Sequence, residues 1–311
     1  MNALSSSEFA GSGLKSPLSH EETDAFLQKV QPQVMDGTFN SGDRKVLKQT
    51  IECLGDTRGM TRLAFAETLG LVGLPASPLL QDALRHHPNV VVRRASAKTL
   101  TLIGDPTAVP TLVEAMLNDE DMVVKGSSVG ALARTGEVAV PALLDILSNP
   151  DHPENYKGLV SWALVFIGAE AKDLVYEQMT SELPEVRAMV IEVMMQVARE
   201  NPDNCDREIE LLLESLGDPV SIVRCEGITA LGNLKYVPGI PNVLQLLHHE
   251  DMETRKTAAI ALMKIGEVSS IDPLETALNQ EPEVAVGQVI KLAINTLQNA
   301  SEEEDDWDDE D

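Results

Sequence analysis

The cysteines are the residues of this sequence that could bind a metal ion or a metal cluster. There are three, Cys53, Cys205 and Cys225, and none belongs to a CxxC pair. An odd, widely spaced set argues against a disulfide framework and suits a reducing cytoplasm. Cys53 lies far upstream of the others, so the three thiols are not expected to converge. Cys205 and Cys225 remain candidate ligands of a cluster shared with a partner, although such cysteines ordinarily serve as small apolar core residues.

Sequence motifs for a self-contained active site are absent. Nothing matches the P-loop pattern GxxxxGK followed by Ser or Thr, GxGxxG after a strand, GxSxG or HExxH. Acidic residues are numerous, but no spacing among them marks a general acid–base pair. The sequence therefore predicts no catalytic residue and no metal held by the chain itself. It favours a protein that binds another protein over an independent enzyme.

The chain is strongly acidic, with a net charge of −26 at pH 7 from 24 basic and 50 acidic side chains. Binding to phosphate backbones needs clustered Lys and Arg, so nucleic acid is not an expected partner. A protein partner with a basic surface fits this charge better, although acidity can also serve only to keep a protein in solution.

The last residues, 300–311, are an acidic tail that contains one tryptophan, Trp307. One interpretation is a linear motif in which Trp307 enters a pocket of a partner while the acids meet its basic rim. The other interpretation is a solubilising tail. The composition of 1–17 and of 300–311 predicts disorder, which leaves 18–299 as the folded region.

Targeting and membrane segments are not expected in this sequence. No run of about 18 apolar residues occurs, so we predict no membrane span. The first residues do not combine a basic stretch with a following apolar one, which argues against a secretory signal. The expected location is the cytoplasm.

Seven segments of the sequence repeat one pattern. They are TRLAFAETLGLVG (61–73), VRRASAKTLTLIG (92–104), VKGSSVGALARTG (124–136), YKGLVSWALVFIG (156–168), VRAMVIEVMMQVA (186–198), VRCEGITALGNLK (223–235) and TRKTAAIALMKIG (254–266). The second position is always basic: Arg62, Arg93, Lys125, Lys157, Arg187, Arg224 and Arg255. These residues are spaced by 31, 32, 32, 30, 37 and 31, and the thirteenth position is Gly in five segments. Such self-similarity is the signature of a repeat architecture.

Each repeat predicts two helices joined by a short turn. In the last repeat Ala258, Ala261, Leu262 and Ile265 recur at the helical period, and Gly266 stands where a left-handed C-cap is needed. Prolines then mark the first turn of a second helix. Neither helix can bury its apolar stripe alone, so neighbouring hairpins must stack. We predict an all-α, HEAT-like α-solenoid of about eight helical hairpins in a curved superhelix.

Two sets of residues follow from this repeat. The seven basic residues at the second position predict a structural ladder of ion pairs with acids of the same or the adjacent repeat. Polar positions of the second helices predict a largely acidic, concave partner-binding face: Gln81, Asp82, Glu114, Asp145, Tyr176, Glu177, Glu210, Glu214, Gln245 and Glu275. Trp162 and Phe166, in the fourth repeat, are expected to be buried.

The segment VRRASAKTLTLIGDPTAVPTLVEAML resembles the HEAT-like repeat of the bilin lyase E/F family, and copies of it cover 58–280. That family includes phycobilin lyase subunits, phycobilisome degradation proteins and members without lyase activity. The layout resembles that of the cyanobacterial HEAT-repeat protein that associates with an A-type iron–sulfur scaffold. This resemblance implies a non-enzymatic adaptor for an A-type iron–sulfur carrier in a cyanobacterial cytoplasm, with any 2Fe–2S cluster shared with or carried by that partner.

The same family implies an alternative function. The chain would then be a phycobilin lyase, a lyase subunit, or an assembly or degradation factor of phycobilisomes, with a bilin as ligand and phycobiliprotein subunits as partners. The small number of aromatic residues argues mildly against a tetrapyrrole groove. The absence of catalytic motifs is weak evidence against a lyase, because such a protein mainly holds a reactive bilin near its acceptor.

Overall fold

The computed structural model of the chain describes Phe9, 18–149, 151–152 and 154–308. Within these residues the secondary structure consists of α-helices and short 3₁₀ turns, without a strand. The helices are α1 His20–Met35, α2 Arg44–Glu52, α3 Gly59–Val72, α4 Ser77–His86, α5 Val90–Ile103, α6 Val109–Asn118, α7 Met122–Arg134, α8 Val140–Ser148, α9 Glu154–Ile167, α10 Lys172–Tyr176, α11 Pro184–Glu200, α12 Asp206–Ser215, α13 Ser221–Asn233, α14 Ile240–Gln245, α15 Met252–Ile265, α16 Ile271–Gln280 and α17 Val284–Asp308. The predicted all-α fold is confirmed.

The chain forms two compact units, Met1–Glu170 and Ala171–Asp311. In each unit the helix that begins a repeat packs against the first helix of the next repeat. These first helices approach closely, because a Cβ added at Gly232 on α13 would lie 2.9 Å from the Cα of Ala261 on α15. The same holds in the first unit, where Gly70 on α3 faces Leu102 on α5. The first helices therefore form a tightly packed layer within each unit.

The thirteenth position of the repeat explains where the first helices end. Gly266 has φ +90°, the left-handed C-cap that the sequence predicts, and the other four glycines at this position have positive φ as well. In the sixth segment the position is held by Lys235, which adopts φ +50°. In the fifth segment Ala198 lies inside α11, which continues to Glu200. The lack of this glycine accompanies the one long step of the repeat.

The basic residues at the second position join neighbouring repeats. The Arg187 guanidinium donates to both carboxylate oxygens of Asp218 at 2.7 and 2.8 Å and to the Ser181 carbonyl at 2.7 Å. Arg93 pairs with Asp119 at 2.9 Å, and Arg255 pairs with Glu281 at 2.8 Å. Each of these pairs bridges to the loop that precedes the next first helix. Because both partners are largely buried, the geometry of each bridge is fixed by packing.

Three of the remaining basic residues at the second position of the repeat donate hydrogen bonds to neutral oxygens. In one of them a carboxylate also lies nearby. Arg62 donates to the Asp56 carbonyl at 2.6 Å. Lys125 donates to the Leu117 carbonyl at 2.9 Å and contacts the Tyr156 hydroxyl. Arg224 donates to the Thr254 hydroxyl at 3.2 Å and lies 3.6 Å from Asp251. Lys157 lies half-buried near the start of α9.

Of the ends predicted to be disordered, residues 1–8, 10–17 and 309–311 lie outside the described part of the chain, whereas 300–308 belong to helix α17. In 1–17 only Phe9 is described, and its ring is buried with its centroid 5.5 Å from that of His87. At the other end, α17 extends to Asp308. Residues 309–311 and the side chain of Trp307 lie outside the described part of the chain, so the tail motif stays a prediction.

No single helix in the described part of the chain is long and apolar enough to cross a membrane. Helix α3 and the segment Leu74–His86 reach the required length and composition only as a pair, and they are bent by 110° relative to each other. Leu69, Leu79, Leu80 and Leu84 of this pair lie in the core of the first unit.

Candidate functional site

A groove runs over three first helices of the unit Met1–Glu170. On a helix, positions 3, 7 and 11 of the repeat share one face, since they are four residues apart. On α5, α7 and α9 these positions are occupied by Arg94, Lys98, Leu102, Gly126, Gly130, Arg134, Gly158, Trp162 and Phe166. We call the surface formed by these nine residues the aromatic groove.

One wall of the aromatic groove is a pair of exposed rings on α9. Trp162 is 51% and Phe166 59% exposed, and the two rings stack with their centroids 5.5 Å apart and their planes at 30°. The expectation that they are buried is therefore wrong. The buried stripe of α9 consists instead of Val160, Ala163, Leu164 and Ile167. The rings project from the opposite side of the helix and form an exposed apolar pair, a feature that can mark an interaction site.

The floor of the aromatic groove lacks side chains. A Cβ added at Gly126 or Gly130 on α7, or at Gly158 on α9, would meet no atom within 4 Å. The neighbouring helices carry Lys98 and Trp162 at the repeat position that Gly130 occupies on α7. The backbone of α7 is therefore open to solvent between the side chains of α5 and α9, and we call this strip the trough.

The C-terminal end of the aromatic groove opens into a cleft of about 500 Å³. Its lining includes Leu102 from α5, Arg134 from α7 and Phe166 from α9, together with Glu170. Leu102 is exposed like the two rings and faces the cleft from the other wall. The cleft is thus bounded by Leu102 and Phe166 on two sides, by the Arg134 guanidinium at the end of α7 and by the Glu170 carboxylate, and most of its lining is polar.

Two cations of the aromatic groove lack a partner within the described part of the chain. Lys98 and Arg134 are both exposed, and neither forms an ion pair or hydrogen bond with a described residue. Arg94, at the third position of α5, differs because its Nε donates to Asp121 at 2.8 Å. In a chain with 50 acidic and 24 basic side chains, two unpaired cations beside one trough mark a surface suited to an anion.

A second cleft, of about 670 Å³, lies in the unit Ala171–Asp311. It brings together three residues that the sequence analysis singled out, Cys205, Glu210 and Glu214. Asp206 and Tyr236 also line it, so its polar lining is mostly acidic. The groups present suit a cationic or basic ligand.

The surroundings of the Cys205 thiol in this second cleft favour its protonated form. Partial burial raises its pKa, and the nearby carboxylates of Glu208 and Asp206 raise it further. The thiol donates to the Pro202 carbonyl at 3.3 Å. Since the thiolate is the reactive form, a raised pKa reduces its chemistry at neutral pH.

The other cysteines do not complete a site with Cys205. Cys225 on α13 lies 3.9 Å from the Ser221 hydroxyl and is not among the residues that line the second cleft. Cys53 is buried, which raises its pKa to about 11. Across the described residues, no group of three or more His, Cys, Asp or Glu side chains is placed to hold a metal ion.

The remaining residues of the predicted concave face are distributed over both units. Exposed positions are occupied by Glu114, Asp145, Glu177, Gln245 and Glu275, and half-buried ones by Gln81 and Asp82. Glu114 pairs with Arg85 at 2.6 Å. Tyr176 does not have the exposure assumed for it: its ring is buried and its hydroxyl donates to Glu208 at 3.0 Å. Whether this face binds a partner stays a prediction.

Comparison with known proteins identifies the family. The HEAT-repeat family model matches residues 77–164 and 209–295, which together make up more than half of the chain. The chain belongs to the HEAT-repeat family. Within it, bilin biosynthesis protein MpeU of Synechococcus sp. strain WH8020 is 37% identical over 281 residues, covering 90% of this chain and 94% of MpeU. This HEAT-repeat chain is therefore related to MpeU over nearly its whole length.

Two further similarities agree with the family. The uncharacterized phycocyanin operon protein Z of Pseudanabaena tenuis strain PCC 7409 is 30% identical over 169 residues, covering 50% of this chain and 79% of that protein. The crystal structure of the karyopherin Kap121p bound to the extreme C-terminus of the phosphatase Cdc14p has a TM-score of 0.56 at 12% identity, covering 91% of this chain and 38% of Kap121p. The Kap121p similarity concerns the fold alone.

These relatives overturn the expectation of an adaptor for an A-type iron–sulfur carrier. The full-length relative is a bilin biosynthesis protein, which favours the bilin alternative over the iron–sulfur adaptor. The expectation was wrong because it rested on length and on an uninterrupted array of repeats. Both are properties of the scaffold that HEAT proteins of different function share.

Proposed function

We propose that this HEAT-repeat chain handles a bilin, as a phycobilin lyase or a subunit of one. The observation that carries the proposal is the 37% identity with bilin biosynthesis protein MpeU across 90% of this chain and 94% of MpeU. The similarity extends over both units of the chain. The phycocyanin operon protein supports the same connection through a second relative.

The residues of the chain suit a holding role rather than one of covalent catalysis. Addition of an acceptor thiol to a carbon–carbon double bond of a bilin forms one C–S and one C–H bond. It consumes one S–H bond and one π bond, so no oxidant or reductant is needed. The raised pKa values of Cys53 and Cys205 keep these thiols protonated, which disfavours their competing with the acceptor. The contribution of the protein would be to orient the bilin and exclude water.

A phycobiliprotein subunit is the partner that this function implies. The acidic lining of the second cleft, which includes Asp206, Glu210 and Glu214, would suit a basic patch on that subunit. This assignment keeps the sequence-based expectation of a basic partner surface and gives it a location. The assignment remains part of the proposal.

Co-production in Escherichia coli tests the proposal. The chain would be produced with a bilin supply and a tagged phycobiliprotein subunit that lacks chromophore, and the purified subunit would be run on a denaturing gel and stained with zinc for covalent bilin. We expect a fluorescent band that exceeds the band formed without the chain. A band of equal intensity in both, with an active lyase as positive control, would contradict the proposal. Loss of bilin from a preloaded subunit would assign removal rather than attachment.

A further inference from the structure

We infer that the aromatic groove is the binding site of a linear tetrapyrrole, with Trp162 and Phe166 against the pyrrole rings and Lys98 and Arg134 facing the two propionates. The inference rests on the proposed function, which supplies the ligand class. It adds the location of the site, the residues that recognise the ligand and the reason that a dicarboxylate is preferred.

The dimensions of the groove suit such a ligand. Ligand sites commonly have volumes of roughly 300–1,000 Å³, and the cleft at the end of α7 has about 500 Å³. Gly126 and Gly130 precede Arg134 on the same face of α7, and a Cβ added at either would meet no atom within 4 Å. An elongated ligand of four linked rings can therefore occupy the cleft with one part and lie along the glycine floor with the rest.

The charges of the groove suit two carboxylates on one ligand. Lys98 and Arg134 lie on adjacent helices and one turn apart in the repeat, which places their Cα atoms roughly 10 Å from each other. Both side chains are long enough to converge on a pair of propionates. A guanidinium can bind a carboxylate through two parallel hydrogen bonds, whereas an ammonium acts as a point charge. Arg134 is therefore expected to contribute more to affinity than Lys98.

The rings of the groove suit the conjugated part of the ligand. The stacked pair of Trp162 and Phe166 presents two aromatic surfaces in succession along α9, and Leu102 provides an apolar wall across the cleft. Aromatic rings pack favourably in offset or edge-on contact with other π systems. A basic protein segment would meet Lys98 and Arg134 unfavourably, so the groove selects an anionic ligand over such a partner.

Tryptophan fluorescence gives a direct test, because Trp162 and Trp307 are the only tryptophans of the chain. In a Trp307→Phe variant the signal comes from Trp162 alone. We expect titration with biliverdin, a linear tetrapyrrole dicarboxylate, to quench it, and its dimethyl ester to bind at least tenfold more weakly. Arg134→Gln and Lys98→Gln should weaken binding of the acid but leave binding of the ester unchanged.

The matched control for these variants is Lys264→Gln. Lys264 occupies the same repeat position as Arg134, but on α15 of the other unit, where it donates to the Asn233 side chain at 2.7 Å. We expect this variant to bind biliverdin like the Trp307→Phe parent. Equal loss in Lys264→Gln and Arg134→Gln would overturn the inference, as would equal affinity for acid and ester in the parent.

A substitution in the groove floor separates loss of the site from loss of the fold. Gly130→Leu fills open space on an α-helix, so the melting temperature is expected to rise or stay the same. Biliverdin affinity should fall at least tenfold because the trough is blocked. Unchanged affinity in this variant would overturn the inference. Binding of an acidic peptide with no binding of biliverdin would also overturn it.

Combining these variants with the gel assay separates the two proposals. If the parent transfers bilin and the Lys98, Arg134 and Gly130 variants transfer it equally well, the groove is not the site and the proposed function stands. If the parent binds biliverdin in the groove but transfers no bilin to any subunit, the site stands and the lyase function is wrong.

Discussion

The two units of this chain are built from one repeat but present different chemistry at the same repeat positions. On α5, α7 and α9 the seventh and eleventh positions hold two aromatic residues, a leucine, a glycine and two cations without a partner among the described residues. On α11, α13 and α15 they hold Glu192, Gln196, Thr229, Asn233, Ile260 and Lys264. There the Lys264 ammonium is hydrogen-bonded to the Asn233 side chain at 2.7 Å. The core positions therefore specify the fold in both units, while the exposed positions are free to specify a ligand in one of them.

The carboxylates of the second unit sharpen this contrast. The pKa of Glu192 is raised by partial removal from water, and that of Glu226 is raised by the same cause and by the charge of Glu192. The negative charges of these two acids would repel a dianionic ligand. The face of this unit is thus unsuited to the ligand that the aromatic groove is inferred to bind.

The largest expected effect concerns the ion pairs that stabilise the second unit. Arg187→Ala leaves the largely buried Asp218 carboxylate without its guanidinium, which should destabilise the protein by about 3–5 kcal/mol. Urea denaturation measures the change. Asp173→Ala is the control, because its pair with Arg207 is exposed and the loss of that pair should change little. Quenching of Trp162 by biliverdin in the folded variant should stay as in the parent, which would show that the groove works without this bridge.

The same variant makes a prediction about pH. The hydrogen bonds from Arg187 lower the pKa of Asp218 below its usual value. The pair therefore contributes its stability above the unfolded pKa of about 4, and the contribution is lost as the pH falls through the lowered native value. The difference between wild type and Arg187→Ala should shrink over that range. A difference that is constant from pH 7 to pH 2 would show that the effect is packing alone.

The next largest effect is expected from a substitution that gives the first unit a residue of the second. Trp162→Glu places at the seventh position of α9 the residue that α11 carries there. Biliverdin affinity should fall by a factor of ten to a hundred, or about 1.4–2.7 kcal/mol, measured by the visible absorbance of the bound pigment. Because Trp162 is half exposed, the free energy of unfolding should change by no more than about 0.5 kcal/mol. Wild-type affinity in this variant would remove the proposed distinction between the two faces.

A smaller effect concerns the ends of the first helices. Lys235 is the only residue other than glycine with positive φ among the described residues. Lys235→Gly should stabilise the chain by about 1 kcal/mol, since glycine adopts this conformation without a steric penalty. The reverse change, Gly104→Lys in the first unit, should cost a similar amount. Thermal unfolding measures both, and effects of the same sign would refute the explanation.

The smallest expected effect concerns the carboxylates of the second unit. Glu192→Gln removes a charge that is disfavoured in the native state, so stability at pH 7 should rise by a few tenths of a kcal/mol. Because a raised carboxyl pKa weakens the native state only where the group is ionised, the gain should disappear below about pH 4. An NMR titration should show the Glu226 pKa moving down towards its usual value. An unmoved Glu226 pKa would show that the two acids are not coupled.

Much of the fold could be predicted because the same helical pattern of apolar residues occurs in seven segments of the sequence. The helical period and the terminal glycine are local signals, and Gly266 has the predicted left-handed conformation. The exposure of Trp162 and Phe166 was missed because both residues are apolar and were judged by type. A better signal was available: the aligned position of Trp162 holds Glu67, Lys98 and Glu192 in other repeats, which indicates a solvent-facing column.

Bilin handling, which the relatives favour, was predicted from the sequence only as an alternative, and the aromatic groove was not predicted. A groove depends on which side chains are missing, and Gly126 and Gly130 are recognisable as a floor only when the flanking helices are in place. The iron–sulfur expectation failed for a related reason, since repeat number and layout describe the scaffold and not its exposed positions. Signals for binding lie at single aligned positions of the repeat, where an unusual residue in one copy can be compared with the residues that the other copies hold there.

The glycine floor has a consequence for how this surface changes under mutation. Replacing Gly126, Gly130 or Gly158 by alanine meets no atom within 4 Å and would stabilise its helix by roughly 0.5–1 kcal/mol. Stability alone therefore favours filling the trough, one methyl group at a time. In a lineage released from selection for ligand binding, these three positions should drift to alanine or serine before the core changes. Glycine at all three positions in a related protein would then indicate continued selection for ligand binding.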